Sequence, residues 1–262
     1  MIKTILITGA GSGIGRESAI ALAKRGHNVI ATTKTDEQGR ELKIYASEKG
    51  CKLEIFTLDI TNEKDAEKIR DLQIDVLLNN AGIGETGPLA EIPMERLRDV
   101  FETNVFGTIA LSQIALRGMM QRKRGSVIIV SSIAGRIPLP FLAPYGMTKF
   151  ALSAGAAAMR KEVSRVEANV HVALVEPGAY ATGFNELMMA KKYEWLNEGS
   201  KYFKILPSLQ KDDARFASAQ TKSINSIVRQ VVKAVEADKP KLRYGAPWWQ
   251  SWGGELLRIF RG

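Results

Sequence analysis

Tyr145 and Lys149 are the two residues whose types and spacing most directly suggest chemistry. They stand four positions apart, so on a helix both side chains project from the same face. A phenol has a pKa near ~10 in water, and a neighbouring ammonium favours the phenolate and lowers that pKa toward neutral pH. The pair therefore predicts a general acid and base. A lone pair of this kind is also common on the surface of a helix, where it has no catalytic role.

A glycine-rich turn near the N-terminus could hold phosphate groups. Residues 8–15 follow an apolar run and precede a helical stretch, and they include glycine at positions 9, 11, 13 and 15. Small residues let the backbone approach a pyrophosphate closely, and a helix N-terminus offers free N–H groups and the positive end of its dipole. A structural tight turn would also explain the glycines. We favour a dinucleotide site, because the turn joins the first strand to the first helix of an alternating chain.

An alternating α/β chain must position these residues. Runs rich in Val, Ile and Leu predict strands at residues 4–8, 28–33, 53–58, 75–79, 126–131 and 170–176, and helical stretches between them include residues 14–24, 94–121 and 148–162. Right-handed crossovers would place helices on both faces of the sheet. The sequence thus predicts an α/β fold with a Rossmann-type doubly wound parallel sheet. We expect one domain over residues 1–262, with a helical lid at residues 183–221 and a helical tail at residues 247–262.

Several motifs occur in an order that is typical of one protein family. They are the glycine turn, Asp59-Ile60, Asn79-Asn80-Ala81-Gly82, Asn104-Val105-Phe106-Gly107, Val130-Ser131-Ser132, Tyr145-Gly146-Met147-Thr148-Lys149, and Pro177-Gly178 with Thr182. On these residues the chain resembles the short-chain dehydrogenases/reductases over about residues 3–185. The resemblance implies an oxidoreductase that transfers a hydride between a nicotinamide cofactor and a carbonyl or hydroxyl carbon.

The resemblance also assigns roles at the reacting centre. Tyr145 would be the general acid and base, and Lys149 would hydrogen-bond the nicotinamide ribose. Ser132, thirteen residues before Tyr145 as is usual in the family, would hold the substrate oxygen and is preferred to Ser131. Asn104 would anchor a water in a proton relay to Lys149.

The cofactor contacts implied by the resemblance are spread over most of the motifs given above. They are Gly9, Ser12, Gly13, Ile14, Gly15, Thr33, Lys34, Asp59, Ile60, Asn80, Ala81, Gly82, Tyr145, Lys149, Pro177, Gly178, Tyr180 and Thr182. Thr33 stands where NAD-specific relatives carry an aspartate, and Lys34 stands where NADP-using relatives often carry arginine. An ammonium beside a phosphate is favourable, so we expect NADP(H) to be preferred, with NAD(H) as the alternative. No cluster with metal-ligand spacing is present.

The expected substrate is a lipophilic ketone or secondary alcohol. Residues 137–142, residues 84–89 and the group Tyr180, Phe184, Leu187, Met188 and Met189 are expected to line its site, and most of them are apolar. Residues 139–141, 149–152 and 240–244 resemble the hydroxysteroid and retinol dehydrogenase branch. Such apolar segments could equally belong to the core.

Composition favours a soluble cytoplasmic protein and weighs against several other classes. The single cysteine, Cys51, forms no internal disulfide, and no apolar run is long enough to cross a bilayer. The net charge of +9 could attract nucleic acid or lipid, yet no nucleic-acid motif accompanies it. The Trp-rich tail could touch a membrane surface, although packing on the protein is the simpler interpretation. By resemblance, the helices after Phe101 and Tyr145 would form a homodimer or homotetramer.

Two functional alternatives remain open from the sequence. A nucleotide-sensing regulator could keep this fold without turnover, although such a protein would be expected to lack Tyr145 or Lys149, and both are present. An RNA- or membrane-associated protein could use the basic residues instead.

Overall fold

A computed structural model describes residues 1–250 of the chain. They form one seven-stranded sheet in the order β3-β2-β1-β4-β5-β6-β7, with every neighbouring pair parallel. The strands are β1 Thr4–Ile7, β2 Asn28–Thr33, β3 Glu54–Thr57, β4 Val76–Asn79, β5 Gly125–Val130, β6 Val170–Pro177 and β7 Arg243–Ala246. The six predicted strands are confirmed to within one residue at each end. The short β7 was not predicted, because Arg243 and Gly245 interrupt its apolar pattern.

The helices lie between the strands and after β6. They are α1 Gly13–Lys24, α2 Asp36–Glu48, α3 Glu63–Glu67, α4 Met94–Phe101, α5 Thr108–Gln121, α6 Ala143–Val166, α7 Phe184–Ala190, α8 Leu206–Ser218 and α9 Asn225–Glu236. The predicted helix at 94–121 is interrupted by a π-helical segment, Glu102–Gly107. The predicted helix at 148–162 begins earlier, since Pro144 fits the first turn of α6. Of the predicted tail, residues 248–250 are helical and residues 251–262 lie outside the described residues.

Two apolar layers cover the sheet, one on each face. Ile5 and Ile7 pack with residues of α1, α2 and α9. Leu6, between them in sequence, packs on the opposite face with residues of α5 and α6. Both faces of the strands are therefore buried, which explains why the strands are apolar at consecutive positions. The doubly wound arrangement predicted from the sequence is confirmed.

The strand order reverses direction between β1 and β4, which lie side by side although β2 and β3 intervene in sequence. In a parallel sheet such a reversal opens a crevice at the carboxyl ends of the strands, where ligands bind. The segments that follow β1, β4, β5 and β6 all leave the sheet at this edge. Within residues 1–250, no helix combines the length and the apolar character that a membrane span requires.

The glycine turn allows a specific test of this packing. A Cβ on Gly15 would lie 2.5 Å from Gly9 O and would overlap the Asn80 amide. We expect Gly15→Ala to lower the free energy of unfolding by about 1–3 kcal/mol, as overpacking does, measured by urea denaturation. Gly146→Ala is the matched control, because its Cβ would meet Ala134 O at an ordinary 3.5 Å. An unchanged midpoint for Gly15→Ala would contradict the described turn.

Candidate active site

The carboxyl end of β5 holds helix α6 through consecutive residues. Val130 O accepts a hydrogen bond from Lys149 Nζ at 2.9 Å. The next residue, Ser131, donates its hydroxyl to Lys149 O at 3.1 Å, and its Oγ lies 3.0 Å from Ser153 Oγ. Both the backbone and the ammonium of Lys149 are therefore fixed to the end of one strand.

Ser132 is the third residue in this series and faces Tyr145. The two hydroxyl groups form a hydrogen bond. Ser132 Oγ also accepts from Ala134 N at 3.1 Å and donates to Pro177 O at 3.4 Å. The sequence-based preference for Ser132 over Ser131 at the reacting centre agrees with this geometry, because the Ser131 hydroxyl contacts Lys149 O and Ser153 instead of Tyr145.

Apolar residues cover the Tyr145 ring, which is only 8% exposed. Phe184 lies across it, with the ring centroids 5.7 Å apart. Met188, Leu142 and Ala134 complete the same small cluster. Phe184 and Met188 belong to α7, so the segment after β6 forms part of the cover over the phenol. The site is thus shielded from water by groups that offer no competing hydrogen bond.

Asn104 lies in the π-helical segment. Because the hydrogen bonds of this segment span one residue more than those of an α-helix, the Asn104 side chain points in a different direction from the one that a regular α-helix would give it. It is buried, and its Oδ1 accepts from Ile83 N at 2.8 Å. Its Nδ2 donates to Ile83 O at 2.9 Å and to Thr148 Oγ1 at 3.1 Å. Asn104 therefore joins the loop after β4 to helix α6, one residue before Lys149.

The glycine turn meets the end of β4 at van der Waals distance. Gly9 and Gly13 have φ values of +64° and +54°, which side chains rarely adopt. A Cβ on Gly9 would lie 2.7 Å from Ala81 Cα. Asn80 Nδ2 donates to Thr8 O at 3.0 Å and to Gly9 O at 2.9 Å. The side chain of Asn80 thus braces the turn.

The N-terminus of α1 is left open for an anion. Its N-cap residue, Ser12, makes no side-chain capping hydrogen bond, and no acidic residue lies in its first turn. Helices α2 and α3, by contrast, are capped by Thr35 and Asn62 and carry acidic residues in their first turns. The free N–H groups and dipole end of α1 suit a phosphate, and Gly13, the first residue of the helix, carries no side chain that would cover them.

Comparison with known proteins agrees with this site. Residues 3–192 match the family "short chain dehydrogenase". Human retinol dehydrogenase 8 is 32% identical over 255 residues, which cover 92% of this chain and 80% of that protein. The bovine protein of the same name is 33% identical over 190 residues, which cover 70% of this chain and 60% of that protein. A crystal structure of a short-chain dehydrogenase from Streptomyces avermitilis superposes with a TM-score of 0.79 at 26% identity, covering 99% of this chain and 94% of that one.

The chain is a short-chain dehydrogenase/reductase. It belongs to the branch of the family that includes the retinol dehydrogenases, and it is an NAD(P)-dependent oxidoreductase. The family assignment made from the order of the motifs is confirmed. The two functional alternatives that use the fold or the charge alone do not explain the arrangement of Ser132, Tyr145 and Lys149.

Burial shifts the pKa values of Tyr145 and Lys149 in opposite directions. Burial raises the pKa of the Tyr145 phenol, and the hydrogen bond with Ser132 opposes that rise. Burial lowers the pKa of Lys149 to about 8. The ammonium lies 5.5 Å from the Tyr145 ring centroid and is bonded to Val130 O. The expectation of a lowered tyrosine pKa is wrong in the described structure, because desolvation under the apolar cover outweighs the opposing hydrogen bond with Ser132.

The Tyr180 side chain lies apart from the cluster around Tyr145. Its ring packs in the core with residues of α9, and its hydroxyl lies 2.7 Å from Ser226 Oγ. A cofactor contact at this position stays a prediction and would have to use the backbone of Tyr180. Thr182, two residues later, does reach the crevice, where it lies against Gly13. One residue before Tyr180, Ala179 N donates to Gln250 Oε1 at 2.8 Å.

The residues expected at the adenosine end lie together beside β2. Lys34 Nζ pairs with Asp59 Oδ2 at 3.1 Å. Thr33 is buried and donates its hydroxyl to Thr35 O at 3.0 Å. Ile60 is buried, and its carbonyl packs against Gly107 of the π-helical segment. Lys34 is thus the one charged side chain among these residues that projects into solvent.

The segments expected to line the substrate site are divided between two places. Residues 137–139 and Leu142 line an apolar groove of about 360 Å³ on the outer face of α6, together with Phe101, Met147 and Phe150. Leu187 is exposed and does not contact Tyr145. Phe184 and Met188 do cover the phenol, and Met189 packs against that cover. The sequence could not separate these places, because both consist of apolar residues.

The loop after β4 is fastened to the segment after β6. Thr86 Oγ1 donates to Met188 O at 2.8 Å. Arg96 pairs with the buried Glu85 at 3.3 Å and with Glu194 at 2.6 Å. These contacts hold Met188 over Tyr145. None of them was predicted, because the residues are up to about a hundred positions apart in sequence.

The depressed pKa of Lys149 predicts a pH-dependent stability. Below pH 8 the lysine is charged in both the folded and the unfolded state, and burial of that charge costs stability. Between about 8 and 10.5 the folded protein releases the proton while the unfolded chain keeps it, so stability rises with pH. Relative to Lys149→Met, the free energy of unfolding should increase by about 2–3 kcal/mol from pH 8 to 10, measured by urea denaturation. A pH-independent difference would contradict the assignment.

Proposed function

We propose that this chain catalyses NADP(H)-dependent interconversion of a lipophilic ketone and a secondary alcohol, with Tyr145 as the general acid and base. One observation carries the proposal. The Tyr145 hydroxyl is hydrogen-bonded to Ser132 beneath an apolar cover, at the sheet edge where the open N-terminus of α1 also lies. A proton donor, an oxygen-binding hydroxyl and a phosphate cradle thus share one crevice.

The residues present fit a nicotinamide dinucleotide. Gly13 carries no side chain at the start of α1, and Gly9 and Gly15 let the turn pack closely against Ala81 and Asn80. Gly82 stands between Asn104 and Lys149, and a Cβ there would lie 3.8 Å from Lys149 Nζ. Thr182 closes the crevice opposite Gly13. When bound, the cofactor would supply or accept the hydride.

The protein would supply position and the proton. In the direction of reduction, the Ser132 hydroxyl turns from Pro177 O and donates its hydrogen bond to the carbonyl oxygen of the substrate, and Tyr145 transfers its phenolic proton to that oxygen. The Lys149 ammonium then stabilises the phenolate through its charge. Its pKa of about 8 keeps it charged at neutral pH. Oxidation uses the same groups in reverse, with Tyr145 as the base.

We also propose the relay role of Asn104 in returning that proton. Its amide oxygen lies beside Gly82, close to Lys149 Nζ, where a water held by both groups would connect them to solvent. Its bonds to Ile83 and Thr148 fix the orientation of the amide. The oxygen keeps a second lone pair for such a water.

The lipophilic substrate class rests on the cover over Tyr145. Phe184, Met188 and Leu142 would contact any group attached to the reacting carbon, and these side chains favour hydrocarbon over polar substituents. The name of the human relative, retinol dehydrogenase 8, is consistent with this class. We propose that residues 183–221 act as a lid whose closure excludes water during hydride transfer.

A regulator that binds the nucleotide without turnover is the alternative function, and Tyr145→Phe distinguishes the two. The variant keeps the ring packing and removes the proposed proton donor. Activity should fall at least ~100-fold while the dissociation constant for NADPH stays within twofold of the parent's. The measurements are nicotinamide absorbance with a panel of lipophilic ketones and fluorescence titration of the cofactor. Turnover at the parent rate would exclude Tyr145 as the acid.

The NADP(H) preference rests on Lys34, which projects from the end of β2 into solvent. Gln38 supports the same place, since its Oε1 accepts from Lys34 N at 3.1 Å and its side chain lies against Gly11. A 2′-phosphate there would compete with Asp59 for the ammonium. Its higher charge and three acceptor oxygens favour the phosphate. NAD(H) lacks that phosphate and would leave the Lys34–Asp59 pair intact.

Lys34→Ala tests this preference. A charge-assisted contact contributes about 1.5–3 kcal/mol, so NADPH should bind roughly 10- to 100-fold more weakly while NADH is unaffected. Lys24→Ala is the matched control, because Lys24 is an exposed lysine in the last turn of α1, at the opposite end of that helix from the glycine turn. Equal losses for both cofactors, or an unchanged ratio, would contradict a phosphate contact at Lys34.

We propose a homo-oligomer formed through α6. The apolar groove on its outer face is flanked by exposed Phe106, Met147 and Phe150. Large exposed apolar groups clustered on one face typically mark an interface. The peripheral membrane contact considered for the tail depends on residues 251–262, outside the described part of the chain.

A further inference from the structure

A buried ion cluster lies directly behind the reacting centre. Glu176, near the end of β6, is 1% exposed. Its Oε1 accepts from Arg136 Nε at 3.0 Å, and its other oxygen pairs with Arg136 Nη2. Arg243 of β7 also donates to Oε1. Neither the proton transfer nor the cofactor contacts described above use this carboxylate.

Arg136 connects Glu176 to Ser132 through a single turn. Ser132 is the N-cap of a 3-10 turn, Ile133–Gly135, and Arg136 is the residue that ends it. A residue on either side of the turn is thus tied to β6. Arg136 binds Glu176, and Ser132 donates to Pro177 O, which belongs to the next residue of the strand.

Arg243 extends the same connection to the last strand. Gly245 of β7 lies beside Glu176 in the sheet register. Just beyond, Gly178 N donates to Ala246 O at 2.8 Å. The carboxylate therefore lies where the Ser132 turn, the end of β6 and the start of the loop toward Thr182 meet.

We propose that Glu176 is a positioning residue for the reaction, which fixes the direction of the Ser132 hydroxyl by holding Arg136 against β6. The proposal rests on the proposed function. A buried carboxylate is costly, and apolar residues of similar volume commonly stabilise a fold as well or better. Its two guanidinium partners offset that cost, and the planar fork of Arg136 sets the orientation of the turn. A displacement of Ser132 would move the substrate oxygen relative to Tyr145, and small displacements of this kind reduce rates strongly.

Glu176→Gln, which keeps the shape and removes the charge, tests the proposal through a double-mutant cycle with Ser132→Ala. In the parent background kcat should fall by about 10-fold, with the cofactor dissociation constant unchanged. In the Ser132→Ala background the same substitution should change kcat less than twofold, since the group that it positions is absent. Equal factors in both backgrounds would overturn the proposal. If Glu176→Gln does not fold, Glu176→Asp is used in its place. Its loss of kcat should be smaller, and that loss must again disappear in the Ser132→Ala background.

Glu236→Gln is the matched control. Glu236 also lies between two basic side chains, Arg25 and His27, but at the end of α9 away from the crevice. It should lower thermal stability and leave kcat unchanged. If kcat fell equally in Glu236→Gln and Glu176→Gln, general destabilisation would explain both losses, and the proposal would be overturned.

An additional readout does not depend on turnover. Ala134 N donates to Ser132 Oγ, so its amide exchange rate, measured by NMR, reports the direction of that hydroxyl. Exchange at Ala134 should accelerate in Glu176→Gln and not in Glu236→Gln. If the parent shows no turnover but Ala134 responds in this way, the proposed function fails and the positioning role stands. If the parent is active but Ala134 exchange and the cycle show no effect of Glu176, the positioning role fails alone.

Discussion

The docking of the end of β5 against helix α6 is the constraint on which the catalytic geometry depends. Three consecutive residues each fix one group. Val130 O holds the Lys149 ammonium, Ser131 holds the Lys149 carbonyl, and the Ser132 hydroxyl meets the Tyr145 phenol. The approach is close, since a Cβ on Gly135 would lie 2.6 Å from Lys149 O. Successive residues of a strand can serve different partners here because the strand ends and the backbone turns away from the sheet.

A second close approach determines where the cofactor can lie relative to that centre. The glycine turn after β1 contacts the segment after β4, with Asn80 donating to Thr8 O and Gly9 O. Asn104 then ties the same segment to α6. The proposed phosphate cradle and the proposed proton-transfer residues are thereby connected through one short stretch of chain, residues 80–83. Loss of a hydrogen bond in this stretch would disturb both.

These arrangements bury polar and charged groups, and burial changes their chemistry. The cover formed by Phe184 and Met188 removes Tyr145 from water, which raises its pKa and favours the neutral phenol as a proton donor. The same environment lowers the pKa of Lys149 to about 8. Glu176, equally buried, remains paired with two arginines. A site that needs a dry phenol beside a fixed ammonium therefore requires a framework stable enough to bear such groups.

The sequence by itself determined the parallel sheet, the family and the candidate proton-transfer residues. Strands buried on both faces are apolar at consecutive positions, and Ser132, Tyr145 and Lys149 belong to local motifs with fixed spacing. Only the tertiary structure decided the contacts between distant segments. In that structure Tyr180 packs in the core and Asn80 donates to the glycine turn. Glu176 forms ion pairs with Arg136 and Arg243. The tertiary structure also reversed the expected pKa shift of Tyr145, because a pKa depends on solvent exclusion by residues far away in sequence, such as Phe184. The spacing of residues within a motif indicates which side chains can react. Their burial and their hydrogen-bond or ion-pair partners are fixed only when distant helices and strands pack together.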